Sequence, residues 1–216
     1  MPSSHPRGFR DISLELARIG ERFYARNWVL GTSGNFSAVV SLDPLRLAIT
    51  PSAAHKGALT GREILEIGAD AQVVGSATGR PSAEALLHLE IVRRREARAV
   101  LHTHSVWGTI LSDLHVNERG LMLEGYEMLK GLDGISTHEH QEWVPIIAND
   151  QDMPRLAQAV GAELAAHTGA HAFLLCGHGL YTWGATLAEA ERHVEILEFL
   201  FETVGRRNQY GHRHHP

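Results

Sequence analysis

Short apolar runs and longer helix-periodic segments follow one another along this chain in no regular alternation. Residues 11–28 carry Leu14, Leu16, Ala17, Ile19, Phe23 and Tyr24 at the spacing of a helix with a broad buried face. The small-residue turn 31–35 leads into residues 36–40 and 45–50, which read as paired short strands around a turn at Asp43 and Pro44. Further short strands are expected at 65–68 and 72–75, a helix over 83–95, a buried strand over 97–104 and a helix over 106–114. Residues 126–132 read as a short helix, and 143–147 as a strand kept near an edge or an end by Pro145, which has no N–H for a central ladder. A helix to 167 and a strand over 172–176 follow. The last helix opens on Thr186 and Glu189 in capping-box spacing and runs to 201 or beyond. The βαβ rhythm of a doubly wound dinucleotide fold is missing, so the mixture points to a mixed sheet covered by helices.

With 216 residues and neither repeat nor linker, the chain is expected to form one domain over 1–216, with a disordered tail from residue 208. A content of 44% hydrophobic and 21% charged residues is that of a globular chain, and the formal charge of −5 argues against a nucleic-acid partner. The run Arg93-Arg94-Arg95 reads as a solvated helix end, where cations meet the negative end of the dipole. Cys176 is the only cysteine, so no intramolecular disulfide is possible, and the first residues lack the pattern of a secretory signal. A cytoplasmic location is therefore expected, and no apolar stretch is long enough to predict a membrane span. Of fifteen histidines, His212, His214 and His215 sit in the polar tail, where incidental metal affinity is the natural reading.

His102-Thr103-His104 ends an apolar strand, and the two-residue period turns both imidazoles to one face of the sheet. His178 stands between two glycines directly after another apolar strand. Three histidines with an open fourth position suit a catalytic zinc or another divalent metal; each taken alone is equally a hydrogen-bonded core residue. Glu84 opens a helix, where a carboxylate also serves simply to favour the positive helix end. Glu127 is spaced to pair with Lys130 on a helical turn. The loops 31–35, 50–57 and 79–82 are rich in Gly, Ser and Thr, the small donors that surround a phosphate and that turns also use.

Gly34-Asn35-Phe36-Ser37, Ile49-Thr50-Pro51-Ser52, Pro81-Ser82-Ala83-Glu84, Val100-Leu101-His102-Thr103-His104-Ser105 and Gly177-His178-Gly179 occur in this order. Together they resemble the class II aldolase/adducin superfamily over nearly the whole chain. Within it, Glu127-Met128-Leu129-Lys130-Gly131, Thr137-His138-Glu139-His140 and residues 144–152 are similar to a hydro-lyase branch. That branch dehydrates 5-methylthioribulose 1-phosphate to 2,3-diketo-5-methylthiopentyl 1-phosphate in methionine salvage, through a metal-stabilised enediolate.

The resemblance implies an α/β fold, a three-layer α/β/α arrangement with a central mixed sheet. It also implies a homotetramer with active sites where subunits meet, and one Zn2+ per subunit on His102, His104 and His178. Glu84 would work beside the metal and Glu127 would carry the proton, while Asn35, Ser52 and Ser82 match phosphate-loop positions. Lys56 reads either as a neutralising partner of the phosphate or as a solvated lysine. Two departures touch the loops: Ala53 stands where a glycine is usual, and Ala83 where the aldolases often have a second serine. The alternatives are a sugar-phosphate aldolase or epimerase, and an adducin-like binding module that has lost catalysis.

Overall fold

The computed structural model describes residues 8–75 and 77–211. Among these residues, eight strands make one sheet in the order β3-β2-β1-β4-β8-β7-β6-β5. In chain order they are β1 (Asn35–Leu42), β2 (Leu45–Ile49), β3 (Leu65–Gly68), β4 (Ala99–Thr103), β5 (Gly120–Glu124), β6 (Gln141–Ile147), β7 (Ala172–Leu175) and β8 (Gly179–Gly184). β6 and β7 run parallel, whereas β4 and β8, central in the sheet, are antiparallel, with His102 opposite Tyr181. The helices are α1 (Phe9–Ala25), α2 (Ala85–Arg95), α3 (Val106–Leu114), α4 (Met153–Ala166) and α5 (Leu187–Gly211).

The two-residue period of the central strands divides the core. Ala99 and Leu101 of β4 and Leu180 of β8 pack with α1, α3 and α5, while Val100, Tyr181 and Trp183 pack on the opposite side with α2 and α4. The result is the expected three-layer α/β/α arrangement. Phe23 of α1 meets Phe36 of β1 edge-on, with ring centroids 5.6 Å apart, and both are fully buried. Each such side chain contributes about 1.5–3 kcal/mol of burial free energy. Local signals agree with this packing: the Ser105 hydroxyl accepts from the Gly108 N–H at the start of α3, and the Asp152 carboxylate from the Arg155 N–H at the start of α4.

A buried ionic group ties β6 to β7 at the end of the sheet away from Leu175. Glu142, 1% exposed, accepts from the backbone N–H of His171 at 2.8 Å and from its Nδ1 at 2.9 Å, and its Oε2 lies 2.8 Å from His140 Nε2. His171 Nε2 lies 2.9 Å from the Asp133 carbonyl oxygen, so both ring nitrogens have acceptors. Burial works against a charge on His171, but the hydrogen bond and charge of Glu142 outweigh it and raise the imidazole above its ordinary value.

Several elements depart from the expectations. β8 and β5 were not anticipated, and residues 72–75 contribute one isolated bridge, Val73 to Ile67, in place of a strand. Pro145 lies opposite Gly120, where the β5 ladder begins, which explains its tolerance. Arg95 is no solvated helix end: its guanidinium donates to the His167 and Thr168 carbonyls after α4 and covers Trp183. α5 runs to Gly211, so the tail expected from residue 208 is helical at its start, while 212–216, with the three tail histidines, lie outside the described residues.

Candidate metal centre and active site

β4 delivers His102 and, one residue past its end, His104, while the turn from β7 to β8 delivers His178. Gly177 holds a left-handed φ of +61° in that turn. At Gly179 a methyl group would stand 2.0 Å from the Thr103 carbonyl oxygen, so only glycine lets β8 come this close to β4. The three Nε2 atoms thereby converge: His102 to His104 is 2.8 Å, His104 to His178 is 3.0 Å and His102 to His178 is 3.3 Å.

Three imidazole nitrogens so placed cannot all be satisfied by one another. His102 Nδ1 faces the Leu180 carbonyl at 2.9 Å, an acceptor that requires the ring proton there and leaves Nε2 a lone pair. Burial lowers all three histidines, His104 to about 4; neighbouring imidazoles further disfavour a charge on His102 and His104, while Glu84 pulls His178 the other way. They are thus neutral at neutral pH, the state a divalent cation requires, and the donor set fits zinc. Tyr181 stacks on His102, with centroids 3.9 Å apart and planes 13° apart, and Phe173 backs Tyr181. That stack fixes the plane of the His102 ring.

Glu84 lies immediately beside the histidines. Its carboxylate oxygens are 3.5 Å from His102 Nε2 and 3.4 Å from His178 Nε2. Asn35, placed opposite His102 in the β1–β4 pairing, donates from Nδ2 to Glu84 at 2.5 Å. The other side of the Asn35 amide meets His88 Nε2, and His88 Nδ1 meets the Ser37 hydroxyl at 2.7 Å. His88 is fully buried, which pushes it down to about 3.

An open pocket of about 400 Å³ extends from this centre and is lined by Asn35, Ser52, Ser82, Glu84, His104 and His178, with Lys56 among them. Six of the site residues named in advance, His104 among them, thus meet around one cavity together with Lys56; His102 lies just behind it, fully buried. The Lys56 side chain is buried, not solvated. Its ammonium donates to the Thr32 and Ala54 carbonyls, and burial lowers it to about 8 against the opposing pull of Glu84. Ser82 accepts from the Glu84 N–H at 3.2 Å, which leaves its own O–H to donate. Ala53 has a φ of +57°, the left-handed conformation that makes glycine the usual residue there.

Glu127 is not brought to this pocket within one chain. It sits in the 3-10 turn Glu127–Gly131, exposed, bonded to Lys130 at 2.7 Å and 3.8 Å from His138. The Lys130 bond lowers its carboxyl below the usual value. The residues that the sequence reading missed are His88 and Tyr181. Four residues after Glu84 on one helix face, His88 carried a signal; Tyr181 carried none, because its strand was not expected.

Residues 14–204 match the model of the class II aldolase and adducin N-terminal domain. The chain is 48% identical over 200 residues to the methylthioribulose-1-phosphate dehydratase of Methylococcus capsulatus, covering 92% of this chain and 95% of that protein. It is 41% identical to the protein of that name from Sorangium cellulosum, over 90% of this chain and 91% of the relative. The chain belongs to the class II aldolase and adducin family, in its methylthioribulose-1-phosphate dehydratase branch. Among solved members of the family, the L-fuculose-1-phosphate aldolase of Thermus thermophilus superposes with a TM-score of 0.73 at 25% identity, over 94% of this chain and 98% of the other.

Proposed function

We propose that the chain is a zinc-dependent hydro-lyase that removes water from 5-methylthioribulose 1-phosphate, giving 2,3-diketo-5-methylthiopentyl 1-phosphate in methionine salvage. The observation that carries the reading is the convergence of three neutral histidines and Glu84 on a pocket whose walls offer serine hydroxyls and Lys56. His102, His104 and His178 would hold the zinc, which would supply Lewis acidity toward a ketone and so acidify its neighbouring carbon. Ser52 and Ser82 give neutral donors to the phosphate, and Lys56, with two of its three protons bonded, keeps one for the anion.

Loss of water requires a base at carbon 3 and an acid at the carbon 4 hydroxyl. Glu127 takes the carbon 3 proton and returns it to the departing hydroxyl, and the enol that remains becomes the diketone. Because Glu127 is exposed and outside its own chain's pocket, it acts in the site of a neighbouring copy, in a cytoplasmic homotetramer. Val106, Ile110 and Leu114, spaced four apart and exposed on α3, support such association. The names of the relatives favour dehydration over aldol cleavage, which the same metal site also serves. Assay of the purified protein with methylthioribulose 1-phosphate, beside fuculose 1-phosphate and ribulose phosphate, tests the reading. Diketone formation with the first is expected; efficient cleavage of the others without dehydration overturns it.

A further inference from the structure

We infer that His88 is a positioning residue that acts through Asn35 to hold the Glu84 carboxylate in place beside the metal ligands. The inference rests on the reading of Glu84 as part of the reacting site. It starts from the one group in the series whose hydrogen-bonding role is unambiguous: a carboxylate only accepts. Asn35 must therefore turn its Nδ2 toward Glu84, as the 2.5 Å contact requires. Its Oδ1 then faces His88 Nε2, which must carry the ring proton, and His88 Nδ1 must accept from the Ser37 hydroxyl at 2.7 Å. Every donor in the series Ser37, His88, Asn35, Glu84 points the same way, and each link excludes the alternative orientation of the next.

Burial makes the series rigid. Ser37 and His88 are fully buried and Asn35 is 5% exposed, so a broken link leaves a buried polar group unsatisfied. Two elements contribute: β1 supplies Ser37 and Asn35 on one face, and α2 supplies His88, with Glu84 one turn earlier at the start of that helix. Both ends of the Asn35 amide are thus engaged by side chains, which places this residue in the Glu84 series and leaves the second Nδ2 proton as its one free donor toward the pocket. Ser52, Ser82 and Lys56 remain for the phosphate.

The test uses zinc-loaded protein and the dehydration assay on the parent, His88→Gln, His88→Leu, Asn35→Ala and the double variant His88→Leu/Asn35→Ala. Zinc content is measured on each. His88→Leu should lower kcat about 10- to 100-fold, the scale of a misplaced catalytic group, with KM and zinc content nearly unchanged. His88→Gln, whose amide N–H can replace Nε2–H, should recover most of that loss. The double variant should be no slower than the worse single one, because both substitutions break one series. Full turnover in His88→Leu, multiplied losses in the double variant, or an Asn35→Ala effect confined to KM for phosphorylated substrate would overturn the inference. Should His88→Leu fail to fold, Ser37→Ala and Asn35→Ala carry the same kcat-against-KM comparison. A parent that dehydrates nothing would instead remove the functional reading, an outcome separate from any ratio between variants.

Discussion

Glu198 of α5 lies under the strand end from which His102 and His104 project, and its titration should set the pH dependence of stability. The side chain is 3% exposed, and Thr103, between His102 and His104 but on the opposite face, donates to Oε1 at 2.6 Å. Burial pushes the carboxyl from 4.5 up to about 7, although the hydroxyls of Ser105 and Thr103 pull the other way. A group raised on folding keeps its proton in the folded state after the unfolded chain has lost it. Its contribution is therefore complete below pH 4.5 and is lost as pH rises to 7. At ~1.4 kcal/mol per pH unit across that window, the loss amounts to about 3 kcal/mol. Glu198→Gln keeps the shape and cannot ionise. Urea midpoints of variant and parent, at one protein concentration and metal load, should coincide near pH 4.5 and separate by pH 8, where the variant is the more stable. A difference that does not change with pH, or a parent more stable at pH 8, would refute the assignment of a buried, late-titrating carboxyl.

Replacing His102, His104 or His178 with Ala should remove the stoichiometric zinc and nearly all turnover from a chain that still folds, whereas deletion of residues 212–216 should leave both intact, as elemental analysis and far-UV circular dichroism would show. Glu127→Gln should lower kcat by roughly 100-fold with zinc content unchanged. Mixed refolding of that variant with inactive His104→Ala should restore part of the activity; no recovery would exclude delivery of Glu127 across a subunit boundary. With Lys56 lowered to about 8, its charge is lost above that pH. KM for phosphorylated substrate should therefore rise above pH 8 in the parent, and the rise should vanish in Lys56→Met; a pH-independent KM in the parent would remove Lys56 from the phosphate site.

Much of the metal site was legible because its signals are local. An apolar run that ends in His-Thr-His and a histidine between two glycines each report a strand end, and a period of two states which faces match. β8 escaped notice because residues 179–184 are buried on both faces, so no polar alternation marks them, and the glycines at either end resemble turns. The His88 series joins side chains 53 residues apart, a meeting that depends on β1 lying over α2 and has no signature along the chain. Arg95 looked like one cation in a solvated run for the same reason: the carbonyls it binds belong to the end of another helix. Glu127 is recognisable by its segment, yet its place in one chain is exposed, so the sequence named a residue without locating it.

The sheet order has a consequence for how the protein is made. Strands β1 to β4 form one half of the sheet and β5 to β8 the other, and β4 against β8 is the seam between them. Two of the proposed metal ligands belong to the first half and the third to the second. On a ribosome the chain exposes His102 and His104 long before His178 exists, so an early cation finds two imidazoles and an incomplete site. Tight capture must wait until β8 has threaded into place beside β4, at the close approach that Gly179 permits. An ion held there would stitch the halves together, adding RT ln(1 + [L]/Kd) to the free energy needed to part them. On the proposed ligand set, retention of metal would report a finished sheet, and its release during unfolding should mark the moment the seam opens.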